Sequence, residues 1–291
     1  MNIIVTMTTA VACALALTAC GGGGGGDDDS SSPSSRADEG IWSNLDNSGA
    51  GLGMQAVILS DGTYWGLYGS GQTDGSPFVP IGILQGTSSV SSNSASGSYT
   101  DFFETGTDFF KGTYSGTVSP QNSLNLTFNN PSSPAFTSSS GANGSFNMSY
   151  DSIYKQPASL TAVAGKYLGR DCEITVGQSS GTLCAASAGP VSGSTTYAVQ
   201  VTITGSNLTL GLTEVAPNPG ADQTVGMNGT LAPHGATGNV FDVNLTATTG
   251  DTYVPAGTVF KGILFPTSSG NLEIITTAGN SAFYYIGTKQ N

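Results

Sequence analysis

The single histidine of the chain, His234, limits the nucleophilic chemistry that the sequence can support. A Ser-His-Asp triad would have to use this residue, which lies in a Pro-His-Gly segment typical of a loop. The best match to a nucleophile elbow is Gly177–Gly181, but a true elbow joins a strand to a helix, and a strand is expected to follow here. In a chain with 42 glycines such a pattern arises by chance. The sequence therefore predicts a protein that is not an enzyme.

Carboxylates form two clusters along the sequence that would be the other source of acid–base chemistry. One cluster contains Asp101, Glu104 and Asp108, and the other contains Asp171 and Glu173. Glycoside hydrolysis needs two carboxyl groups at a set separation inside one cleft, and the sequence does not bring any pair into one. We interpret these residues as exposed loop acids, and a carboxylate-based hydrolase is the least favoured alternative for the function.

Cysteine usage predicts one disulfide bond. Cys172 and Cys184 flank the turn-forming segment Gln178–Gly181, and a hairpin at that turn would place the two cysteines opposite each other. An even pair of cysteines in an exported protein favours a disulfide, which would contribute about 3 kcal/mol for a loop of this length. A metal site is not expected, because two thiols and one distant histidine make a poor zinc ligand set. No cofactor is expected either.

Cys20 ends an apolar N-terminal stretch in the sequence Leu-Thr-Ala-Cys. Residues 1–19 are too short and too rich in threonine for a permanent membrane span and are typical of a signal peptide. The motif resembles the lipobox of bacterial lipoproteins, whose cysteine carries the lipid, including a palmitate-type acyl chain. A plain secretory signal is the alternative. In such lipoproteins a residue other than aspartate after the cysteine, here Gly21, favours the outer membrane.

Residues 20–39 begin with the lipidation cysteine and continue as a run of glycine, aspartate and serine. This segment has too little apolar surface to fold and is predicted to be a disordered tether. The whole chain is acidic, with a formal net charge of −12 and only 9% charged residues. Nucleic acid and anionic lipid surfaces require clustered Lys and Arg, so neither is an expected partner. The only expected membrane attachment is the lipid on Cys20.

Apolar residues alternate with polar ones in many short segments, which is the pattern of strands with one buried face. Clear examples are Leu124–Phe128, Phe146–Tyr150, Val199–Ile203 and Phe241–Ala247. Asp61-Gly62 between two such segments is a strong hairpin signal. The chain is therefore predicted to be all-β. Most of the predicted strands are shorter than the roughly 9–11 residues that a membrane-spanning barrel needs, so such a barrel is not the favoured interpretation.

A weak internal repeat divides the body into two halves. Phe-Lys-Gly opens a strand at residues 110–112 and again at 260–262. We therefore predict one small antiparallel barrel over residues 40–156 and a second over 157–291, each with about eight strands. A continuous sandwich, or a barrel combined with a sandwich, is the alternative.

Two strands carry aromatic side chains on both faces. Tyr64 and Tyr68 share one face of their strand while Trp65 lies on the other, and Tyr284 and Tyr285 are adjacent in the last predicted strand. Burial between the two domains is the favoured interpretation. The alternative is a ligand or partner surface, because tyrosine and tryptophan beside glycine suit a sugar or a peptide.

Several segments together resemble a family of uncharacterised β-rich lipoproteins of proteobacteria. They are the lipobox, the glycine-rich tether, VILSDGTYWGLY at residues 57–68, FKGTYSG at 110–116, LTAVAGKYLG at 160–169 and FYYIGTK at 283–289. The barrel architecture also resembles that of surface lipoproteins such as transferrin-binding protein B. The resemblance implies a fold and a location but no activity.

These observations predict a lipid-anchored lipoprotein of the bacterial outer membrane, on its periplasmic face or at the cell surface. It would act as a non-enzymatic binding or interaction module with a protein or glycan ligand. The alternative is an envelope structural lipoprotein without a specific ligand.

Overall fold

The computed structural model describes residues 36–45, 52–70, 78–103, 110–129, 144–176, 198–213, 226–250 and 254–290. Within these ranges the chain forms two closed antiparallel β-barrels of eight strands each. The predicted all-β class and the tandem barrels are therefore confirmed, and the sandwich alternative is not.

The first barrel follows a simple up-and-down order in which β1 closes against both β2 and β8. Its strands are β1 (Gly40–Asn44), β2 (Leu52–Ile58), β3 (Thr63–Ser70), β4 (Val79–Ser91), β5 (Ser94–Phe103), β6 (Phe110–Ser119), β7 (Ser123–Asn129) and β8 (Ser145–Asp151).

The second barrel has the same order, and its first strand β9 closes against both β10 and β16. Its strands are β9 (Gly165–Thr175), β10 (Ala198–Thr204), β11 (Asn207–Thr213), β12 (Met227–Pro233), β13 (Phe241–Ala247), β14 (Val259–Pro266), β15 (Asn271–Ala278) and β16 (Ser281–Lys289).

A short connection with two helical turns joins the barrels. A 3-10 helix covers Ser152–Lys155, and a single α-helical turn, α1, covers Leu160–Val163. Asp151 caps the first by accepting the Ile153 N–H at 3.0 Å, and Ser159 caps the second. The predicted boundary between residues 156 and 157 falls in this connection.

Apolar side chains fill the interior of each barrel, because every second residue of a strand points inward. In the first barrel the inward positions form one apolar cluster that includes Trp42, Tyr64, Tyr68, Leu124 and Phe146. The inward positions of the second barrel form another, which includes Val201, Leu210, Phe241, Phe260 and Tyr285. Each period-two segment therefore buries one face, as its sequence pattern predicts.

Glycines make room for the inward tyrosines of these small barrels. A Cβ atom on Gly82 would lie 2.1 Å from the ring of Tyr68 on the neighbouring strand, and a Cβ on Gly287 would lie 2.1 Å from the Tyr285 hydroxyl. Tyrosine rings thus lie across bare backbone and cover it, an arrangement that also fixes strand register.

Hydroxyl and amide side chains cover the outer face of the first barrel over β4–β8. Their positions align across the strands in rows such as Ser89, Ser96, Ser115, Thr127 and Ser145. These five residues are all exposed and uncharged. The low proportion of charged residues in the chain thus reflects strands whose wet face is built from serine, threonine and asparagine.

The start of the folded body lies earlier than predicted. Asp38 is fully buried and Glu39 is 8% exposed, although the composition of residues 20–39 predicts a disordered tether that includes both. The Arg36 guanidinium donates to both carboxylate oxygens of Asp38 at 3.0–3.1 Å, and Ser88 also donates to that carboxylate. Charge-assisted hydrogen bonds to the barrel therefore order a segment whose composition alone favours disorder.

Replacing Gly82 with alanine should destabilise the protein, because the added methyl group would push Tyr68 away from its position. We expect a loss of about 1–3 kcal/mol in the free energy of unfolding, measured by urea denaturation. Gly211→Ala is the matched control, because its Cβ would meet no atom within 4 Å. Equal stability of the two variants would contradict the proposed role of the glycines.

Candidate functional site

A third apolar cluster, here called the seam, joins the outer faces of the two barrels. The first barrel contributes Ile41, Val57, Leu59, Trp65, Leu67, Phe78, Ile83 and Phe102. The second contributes Cys172, Ile174, Val176, Val240, Ile263, Phe265, Ile275, Ala282 and Tyr284, and the connection adds Tyr154. Strands such as β3 and β16 are thus buried on both faces.

The five aromatic residues predicted as a ligand or partner surface all lie in the protein interior. Trp65 and Tyr284 lie in the seam, where Trp65 is 7% exposed and Tyr284 is fully buried. Tyr64, Tyr68 and Tyr285 point into the two barrels and are fully buried. The hypothesis of an exposed aromatic surface is therefore corrected: alternation directs one set inward, and the second barrel covers the other set, of which Trp65 also lines a cleft.

Polar contacts tie the barrels together within and beside the seam. The Tyr284 hydroxyl of β16 donates to the carbonyl oxygen of Pro80 on β4 at 3.2 Å. The Ser268 N–H donates to Asp151 at 2.8 Å, and the Thr237 hydroxyl donates to Glu39 at 3.3 Å. These bonds give the apolar contact a specific geometry.

A cleft of about 300 Å³ opens at one edge of the seam, and we call it the histidine cleft. Its first wall comes from the first barrel and consists of Leu59, Asp61, Thr63, Trp65 and Gln85. Its second wall comes from the second barrel and consists of His234, Asp242, Lys261, Gly262, Ile263 and Thr277. Ligand sites commonly occur at such domain interfaces.

Local structure explains why polar groups meet in this cleft. The Asp61-Gly62 turn joins β2 to β3, and Gly62 has a φ of 85°, which favours glycine. The predicted hairpin is thus present, and it places Asp61 at the rim. His234 lies in the loop between β12 and β13, and its Nδ1 is 2.7 Å from an oxygen of Asp242.

The charge state of Asp61 is set by competing effects. Burial raises its pKa, but the hydrogen bonds from Thr63 and the nearby charges of His234 and Arg36 outweigh burial and lower the pKa. The Thr63 N–H donates to this carboxylate at 2.7 Å. Asp61 is therefore ionised at neutral pH and presents acceptor oxygens opposite His234 and Asp242.

The cleft offers an apolar floor and a polar rim. Leu59, Trp65 and Ile263 are its apolar lining residues, of which Trp65 is 7% exposed, while Gln85 and Lys261 supply donors. An ionised carboxylate, such as that of Asp61, can accept hydrogen bonds but cannot donate them. This combination can hold a ligand that has one apolar face and several hydroxyl groups.

A second cleft of about 330 Å³, the glutamate cleft, lies between the barrels and is lined mainly by hydroxyl and amide groups. Its lining residues are Ser43, Asn44, Leu45, Gln55, Asn147, Ser149, Asp151, Thr267, Ser268, Ser269 and Glu273. A third groove, of about 390 Å³, is lined by Arg36, Ala37 and Glu39 together with Tyr150 and Lys155.

The predicted carboxylate clusters do not meet in one site. Asp101 is fully buried inside the first barrel, where it accepts the Tyr68 hydroxyl at 2.6 Å. Asp171 is 6% exposed and pairs in register with Tyr285 in the second barrel, with Glu173 two positions along. The interpretation of Asp101, Asp171 and Glu173 as exposed loop acids is therefore wrong, because all three occupy inward strand positions and none of them is exposed. Glu104 and Asp108 lie outside the described residues.

Several predicted residues fall wholly or partly outside the described ranges. Cys20 and the Gly177–Gly181 segment do so entirely. Cys172 lies in the seam on β9, opposite Tyr284 of β16, while Cys184 is outside the described residues, so the disulfide stays a prediction. Among the described residues no group of three or more His, Cys, Asp and Glu could hold a metal ion.

Comparisons with protein-family models, curated proteins and solved structures return no match to this chain. Within the ranges that the structure describes, no helix has the length and hydrophobicity needed to cross a bilayer.

Sequence reasoning missed the polar residues at the seam, chiefly Glu273, Gln55 and Arg170. Glu273 had a usable signal, since it is a lone carboxylate in the apolar strand Leu-Glu-Ile-Ile. Arg170 was equally visible as one of only seven basic residues. The sequence around Gln55 and around the partners of His234 has no pattern that indicates a site, because only the docking of the barrels brings these residues to the seam.

Tyr284→Phe should weaken the contact between the barrels, because the buried Pro80 carbonyl would lose its donor. We expect a loss of about 1 kcal/mol in the free energy of unfolding, measured by urea denaturation. Tyr285→Phe is the comparison, and it should lose less because its hydroxyl makes a longer bond of 3.4 Å within the second barrel. A Tyr284→Phe variant as stable as the wild type would contradict a structural role for this bond.

Proposed function

We propose that the protein is a lipid-anchored outer-membrane lipoprotein that works as a non-enzymatic binding module, with the histidine cleft as its ligand site. The observation that carries this proposal is the cleft itself. Both barrels contribute lining residues, which include the apolar Trp65 of the first barrel and the hydrogen-bonded pair His234 and Asp242 of the second. A rigid cleft between two packed barrels holds its polar groups in place before a ligand arrives, which favours binding.

The ligand class that fits this cleft best is a neutral or amino-substituted glycan. A sugar ring has an apolar face that can contact the apolar lining residues Leu59, Trp65 and Ile263, and its hydroxyl groups donate to carboxylates such as Asp61 and Asp242. Gln85 and Lys261 can donate to ring and hydroxyl oxygens. An acidic glycan fits less well, because the body is acidic and two carboxylates face the cleft.

Membrane attachment in this proposal rests on Cys20. An acidic body gains nothing from an anionic membrane surface, so the lipid must supply the affinity. Two or more acyl chains bind firmly where one binds marginally. The contacts of Arg36 and Asp38 with Ser88 of β4 support this arrangement, since they attach the segment before β1 to the first barrel.

The binding hypothesis is tested on an array of neutral, amino-substituted and acidic oligosaccharides, with hits measured by calorimetry. We expect a neutral or amino-substituted glycan to bind, and Asp242→Ala to weaken it at least tenfold because the variant removes an acceptor and the partner of His234. Asn244→Ala is the matched control on the same exposed face of β13, outside the cleft. No binding, or equal loss in both variants, would contradict the proposal and favour a structural role in the envelope.

The anchor is tested by Cys20→Ser in the exporting bacterium. The wild type should partition with the outer-membrane fraction and incorporate labelled palmitate. The variant should lose both properties, because it has no thiol to acylate. A variant that remains in the outer-membrane fraction would show that another part of the protein holds it there.

A further inference from the structure

We infer that Glu273 is a proton-operated latch on the seam, which holds the two barrels together when it is protonated and thereby keeps the histidine cleft formed. This inference rests on the proposed function for its consequence, but its structural part concerns the seam alone. Glu273 belongs to β15 of the second barrel, and its neighbour Gln55 belongs to β2 of the first. Both side chains are 2% exposed.

The contact between Gln55 and Glu273 crosses from one barrel to the other. With its amide nitrogen toward Glu273, Gln55 donates to both carboxylate oxygens at 2.9 and 3.0 Å. With its amide oxygen toward Glu273, the contact is satisfied only if Glu273 carries a proton and donates it. A glutamine can serve either state by turning its amide, so the hydrogen bond by itself does not decide the charge.

Burial decides the charge of Glu273. Loss of water has the largest effect and raises the pKa of Glu273. The hydrogen bond from Gln55 and the charge of Arg170 lower the pKa, and the charge of Asp151 raises it. The result is a pKa of about 8. Arg170 belongs to β9, and it is itself acted on by Tyr284 of β16 as well as by Glu273. Arg170 compensates incompletely, since burial also lowers its own pKa and its Nη1 has no hydrogen-bond partner in the described part of the chain. Glu273 is therefore mostly neutral at pH 7.

The direction of the pH effect follows from linkage. The ordinary pKa of this carboxyl group is 4.5, and in the closed seam it is about 8, so the closed state binds the proton more tightly. The equilibrium constant for closing the seam is therefore largest below pH 4.5. It falls about tenfold for each pH unit between 4.5 and 8 and is constant above pH 8.

The structure also shows where the seam would part. The glutamate cleft borders Glu273 on the side open to water, and its walls belong to both barrels. Parting the barrels there would hydrate the ionised carboxylate. The histidine cleft is also split between the barrels, so the same motion would separate Trp65 and Asp61 from His234 and Asp242.

The two tryptophans of the chain allow the seam to be followed separately from a barrel core. Trp65 lies in the seam, whereas Trp42 is fully buried inside the first barrel. We would label the protein with 5-fluorotryptophan and follow both ¹⁹F signals in urea at pH 5 and pH 7.5. The variants are Glu273→Gln, which imitates the protonated state, and Glu173→Gln, a control that removes a carboxylate from β9 away from Gln55.

In the wild type at pH 7.5 we expect the Trp65 signal to change at lower urea than the Trp42 signal, and the two to change together at pH 5. The seam-opening equilibrium constant should be about two hundredfold larger at pH 7.5 than at pH 5. In Glu273→Gln the Trp65 and Trp42 signals should change together at both pH values. In Glu173→Gln they should separate at pH 7.5, as in the wild type. Signals that change together at both pH values, or a Glu273→Gln variant that behaves like the wild type, would overturn the latch.

Glycan binding at the same two pH values separates this inference from the proposed function. If both hold, the wild type binds more weakly at pH 7.5 than at pH 5, and Glu273→Gln removes the difference. Binding that is equal at both pH values overturns the control of the cleft by Glu273 while the cleft remains the ligand site. Separated ¹⁹F signals without any glycan binding would uphold the latch and overturn the proposed ligand.

Discussion

The burial of one barrel face against another is the constraint on which the rest of this structure depends. Each barrel already has an apolar interior, and the seam requires a second apolar face on strands such as β3 and β16. Burying a large side chain such as Trp65 or Phe265 contributes about 1.5–3 kcal/mol, so the seam is a large share of the total stability. The two barrels are therefore one structural unit, and their clefts exist only while they are docked.

Polar groups determine how this apolar contact is oriented and where it can carry function. An apolar patch alone would tolerate several docking angles, whereas a buried hydrogen-bonded pair such as Gln55 and Glu273 is satisfied at only one docking angle. The same burial that makes the pair specific makes it sensitive to protons. At the rim, where water reaches the seam, the paired His234 and Asp242 stand opposite Asp61 without being fully covered.

The sequence predicts the fold well because strand patterning is local. Period-two alternation in segments such as Phe241–Ala247 and the Asp61-Gly62 turn identify strands and a hairpin without knowledge of their partners. The two-sided aromatic strand at Tyr64–Tyr68 also indicates burial on both faces. The site depends instead on register and docking, which bring Asp61 to His234 only after both barrels close. Asp101 shows the limit of composition, since a carboxylate at an inward strand position looks like a loop acid until the alternation of β5 is known.

Scanning calorimetry at pH 5, where Glu273 is protonated, tests most directly whether the two barrels are one unit. We predict a single transition for the folded body, with equal calorimetric and van't Hoff enthalpies, because protonated Glu273 keeps the seam closed at this pH and the two barrels then unfold together. Two separate transitions, each with the enthalpy expected for one barrel, would contradict it.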